Sequence, residues 1–109
     1  GYADVQDIAH AYQLLAEAVV GGALAPGSPV NAAGTPISVL GLVDALIQIA
    51  QADVVPNILG EDLSQSGEVE ILDDSRLCSL GWALRSLHEG LAETYKWYAE
   101  HGGMAWLSP

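Results

Sequence analysis

At 109 residues and 11.4 kDa the chain holds at most one small domain, too little for a cofactor domain and a substrate domain together. Half of its residues (50%) are hydrophobic, 16% are charged and the mean hydropathy is +0.28, which excludes a disordered polypeptide and demands a buried core. Fourteen acidic residues against three basic ones give a net charge of −11, with eleven of the acids and no Lys or Arg in residues 1–75, so the surface repels phosphate backbones and anionic lipid and neither a nucleic acid nor a membrane is an expected partner.

In chain order, Val5, Ile8, Ala9, Tyr12, Leu15, Ala16 and Val19 fall on one apolar face of a first helix. Asp4 is its expected N-cap, Asp7 suits the positive end of the helix dipole, and Gly21-Gly22 ends it. Residues 21–29 read as a loop, and Val30 to Ala33 as a short strand before a Gly34-Thr35-Pro36 turn. A second helix over about 38–51, capped by Ser38, is apolar on more than one face and is expected between two layers. Val54 to Leu59 reads as a short strand whose Pro56 confines it to an edge, 60–67 as a polar loop, and Glu68 to Leu72 as an alternating strand. A short helix from about Asp74 to Leu80 should stop at Gly81. Ser86-Leu87-His88-Glu89 is a capping box for a last helix with Leu87, Leu91, Tyr95 and Tyr98 on one face, ending at Gly102-Gly103. Trp106 and Leu107 of the tail either dock on the body or fray. The fold class expected is α/β, in the form of a small α+β-like lobe of about four helices and two to three short strands over a single domain, 1–109.

Much chemistry is missing. There is no glycine-rich phosphate loop of the dinucleotide or P-loop type. The residues four beyond Tyr2, Tyr12, Tyr95 and Tyr98 are Gln6, Ala16, Ala99 and Gly102, so no Tyr and Lys acid-base pair is present. His10, His88 and His101 are too scattered for a metal signature. Asp73-Asp74 reads as a helix cap rather than a catalytic carboxylate pair, and Cys78, among Leu77, Leu80 and Trp82, as a buried inert thiol rather than a nucleophile. Trp82, Tyr95, Trp97 and Tyr98 suggest sugar stacking, but core packing and an interface are the preferred reading. A single cysteine and the lack of a leader-like N-terminus fit a cytoplasmic setting.

Four segments in order carry a family resemblance. Asp73-Asp74-Ser75-Arg76-Leu77-Cys78-Ser79-Leu80-Gly81-Trp82, followed by Ser86 to Leu91 and Glu93 to Tyr98, resembles the "D-x-S-[RK]-x-x-x-L-G-W, x-L-x-E-G-L-x-x-T-x-x-W-Y" ending of the extended short-chain dehydrogenase/reductases, the NAD-dependent sugar-nucleotide epimerases and dehydratases. Tyr2 to Tyr12 looks like that family's "Y-V-x-V-x-D-x-A-x-A-Y", and Val30 to Leu40 like its "x-N-x-G-x-x-x-x-S-x-x-E-L". The Gly21 to Pro29 loop and Ile58-Leu59-Gly60-Glu61 are similar to the CDP-glucose 4,6-dehydratase branch.

The resemblance spans about residues 2–101 and implies the C-terminal third of such an enzyme: the last helix of the cofactor domain and the nucleotide-sugar-binding lobe. NAD, its glycine fingerprint and the catalytic groups would lie upstream, so no cofactor is expected in this chain and no catalysis by it alone. The family's phosphate-binding arginine ahead of a "P-G-[DE]-V" turn falls on Gln65, with Ser66 at the proline, and a neutral amide cannot make the charged bidentate contact. Gly41 stands where the second helix's capping-box Glu is usual. The substrate-binding candidates are Gln65, Arg76, which matches a position that is usually structural, and Asp4, which is otherwise a plain N-cap. The alternative reading is a stand-alone truncated relative acting as an oligomerising interaction module, because losing the cofactor domain should uncover apolar surface on the first helix.

Overall fold

A computed structural model describes residues 1–60 and 72–102. They belong to two compact units, Gly1–Pro36 with Val69–Arg85, and Ile37–Glu68 with Ser86–Pro109.

In the first unit, α1 (Val5–Val20) starts where expected: the Asp4 carboxylate accepts the Gln6 backbone N–H at 2.9 Å, and Gly21 caps the other end. Its inner face is formed by Asp4, Asp7, Ala11 and Ala18, all buried, with Leu14 half-buried. The apolar face expected from spacing is split: Ile8 and Leu15 are half-buried, Leu15 packing against the core, whereas Val5, Ala9, Tyr12, Ala16 and Val19 are exposed. Ala11 lets Leu77 and Trp82 approach closely, and those three form the core, with Leu14, Leu15, Val30, Ala32 and Leu84 packed against it. Leu77 lies on α3 (Ser75–Ser79) and is fully buried, a gain of about 2–3 kcal/mol. The Asp73 side chain, rather than that of Asp74, accepts the Ser75 N–H at 3.0 Å, and Gly81 follows α3 at φ +97°, the left-handed stop expected of it.

The strand expected over Val30 to Ala33 does not form. Val30 and Ala32 turn inward at the expected period of two, but no neighbouring strand is present among the described residues. Side chains take nearby carbonyls instead: Arg76 Nη1 donates to Pro29 O at 3.1 Å and Asn31 Nδ2 to Asp73 O at 3.4 Å. The one β-bridge among the described residues joins Tyr2 to Thr35, with N–H···O distances of 2.8 and 2.7 Å.

In the second unit, α2 (Val39–Ala50) begins at Ser38, whose hydroxyl accepts the Gly41 N–H at 3.0 Å, and ends at Gln51 in the left-handed region. It packs on α4 (Leu87–Glu100), where Ser86 Oγ accepts the Glu89 N–H at 3.2 Å and Leu91 is buried. Burial of α2 between two layers is not observed: none of its residues is fully buried, and Val39 and Leu40 are exposed. The strand expected over Val54 to Leu59 is irregular and largely exposed, with Pro56 lacking an N–H to pair. The polar loop beyond Gly60, the Glu68 to Leu72 strand except for Leu72, and the tail with Trp106 and Leu107 lie outside the described residues. The described residues are therefore mainly helical, and none of their helices is long and apolar enough to cross a membrane.

Candidate functional site

The densest polar geometry in the first unit surrounds the start of α1. Asp4 and Asp7 lie one helical turn apart on the inner face, and each is only 6% exposed. A buried carboxylate requires a charged partner, and Arg85 provides it. Its Nε donates to Asp7 Oδ1 at 2.8 Å, its Nη2 to Asp4 Oδ1 at 3.0 Å, and its backbone N–H to Asp7 Oδ2 at 3.3 Å. The planar guanidinium meets the two acids through two different nitrogens, a rigid fork that the point charge of a lysine ammonium does not provide. Trp82, buried alongside, donates its Nε1–H to Asp7 O at 2.9 Å, and no buried side-chain nitrogen or oxygen among the described residues lacks a partner. Asp4 is thus engaged as helix cap and ion-pair partner, and Arg85 is committed to carboxylates rather than to a phosphate.

Beside this tie, Ile8, Ala11, Tyr12, Leu15, Val30, Ala32 and Leu77 line an open apolar groove of about 140 Å³. Its only side-chain polar group is the Tyr12 hydroxyl, so it suits burial of apolar matter.

Of the three expected binding residues, the structure places Asp4 in the tie and Arg76 on α3, exposed and bonded to Pro29 O, and it does not bring these two into one site. Gln65 lies outside the described residues. Among the described residues, no group of three His, Cys, Asp or Glu side chains could hold a metal. Cys78 is exposed, against the expectation of burial, because Leu77 takes the inward position of the short α3 and the next residue projects elsewhere. Desolvation first, then the charge and hydrogen bond of Asp74 and the charge of Asp73, push the thiol pKa up. The Asp73 carboxyl is held below the usual range by the hydrogen bonds of Ser75, backbone first.

The aromatics divide by role. Trp82 is core in the first unit, whereas Tyr95, Trp97 and Tyr98 on α4 are exposed. Trp97 has one face stacked on His101 at 4.1 Å and 12°, and meets Tyr98 edge-on at 5.2 Å. Sequence reasoning missed Arg85 as the partner of Asp4 and Asp7. The available signal was two acids spaced i, i+3, in line with Ala11 and Ala18 on a second small-residue stripe. Compared with family models, curated proteins and solved structures, the chain matches none.

Proposed function

We propose that the chain is the nucleotide-sugar-binding lobe of an NAD-dependent sugar-nucleotide epimerase or dehydratase, cytoplasmic and catalytically silent alone. The ordered match of its sequence segments to that family carries the reading. Support comes from the first unit, where three of these segments meet: Tyr2 bridges Thr35, Asn31 reaches Asp73 O, and Trp82 bonds to Asp7 O. In this reading NAD belongs to a cofactor domain, and the residues here contribute the lobe rather than the hydride chemistry. The Gln65 substitution leaves Arg76 as the remaining cationic candidate for the diphosphate.

Isothermal titration with CDP-, dTDP- and GDP-sugars tests it. Heat of binding to at least one of them, strengthened about tenfold by Gln65→Arg through a restored charge-assisted contact, is the expected result. No binding at millimolar ligand by either protein overturns the lobe reading, and NAD binding or turnover by the chain itself overturns its silence.

A further inference from the structure

We draw no further inference here: the strongest candidate, the open apolar groove lined by α1, the Val30 to Ala32 segment and Leu77 of α3, carries none because nothing in the structure shows what covers it.

Discussion

Replacing Arg85 with methionine keeps most of the apolar stem and deletes the guanidinium that spans Asp4 and Asp7. Two charge-assisted bonds are lost, at 2.8 and 3.0 Å. Asp4 keeps the Gln6 N–H and Asp7 keeps the residue-85 backbone N–H, so neither carboxylate is stripped bare. Removing one partner of a fully buried pair costs about 3–5 kcal/mol. The Arg85 side chain is 29% exposed, so water can reach the vacated position, and the expected cost falls to about 2–3 kcal/mol. For a chain of this length that corresponds to a drop of roughly 10–15 °C in Tm. Urea unfolding followed at 222 nm gives the difference directly, and hydrogen exchange at the Gln6 and Ile8 amides reports where it falls. The cycle with Asp7→Asn supplies the control: once Asp7 is neutral, Arg85→Met should cost about 1–2 kcal/mol less, because one buried charge no longer needs a partner. A cost below about 0.5 kcal/mol, the same in both backgrounds, would refute the view that these ion pairs fasten α1 to the segment after α3.

Three further outcomes follow from local geometry. A Cβ at Gly34 would stand 2.8 Å from the Tyr2 carbonyl carbon and oxygen, so Gly34→Ala should open the Tyr2–Thr35 bridge, costing about 2 kcal/mol and the exchange protection of both amides. The Asp73 pKa is depressed in the folded chain, so the capping of α3 is in place above the ordinary carboxylate pKa and is lost as pH falls through the depressed value. Acid titration followed by the Ser75 amide shift should show this, and Asp73→Asn should abolish it. Cys78, although exposed, has a raised pKa, so iodoacetamide should modify it more slowly at neutral pH than it does a free cysteine peptide, and Asp74→Asn should speed the reaction.

The helix starts were legible because capping is local: Asp4, Ser38 and Ser86 each accept an N–H two or three residues on, and spacing alone identifies them. The strands were not. Val30 to Ala33 has the right alternation, but a strand also needs a neighbour, and that is settled by the rest of the chain. The direction in which α1 faces was hidden for a similar reason. The apolar spacing accounts for the half-buried Ile8 and Leu15 but gives no reason to bury Asp4 and Asp7, whose partner Arg85 stands 81 and 78 residues away. Cys78 was misplaced because its apolar neighbours in sequence suggested burial, whereas a five-residue helix buries one position and exposes the next.

The tie between α1 and Arg85 also governs when the first unit can fold. Trp82 and Arg85 reach back 75 to 81 residues to Asp7 and Asp4, and in the sequence the stretch Ile37–Glu68, assigned to the other unit, separates the two parts of this one. On a translating ribosome α1 emerges before the residues it packs on and cannot bury its inner face until Leu77, Trp82 and Arg85 have left the exit tunnel. During that interval both of its faces are open to water, and to chaperones. The contacts that complete the unit are long-range, so loop closure rather than helix formation sets its folding rate.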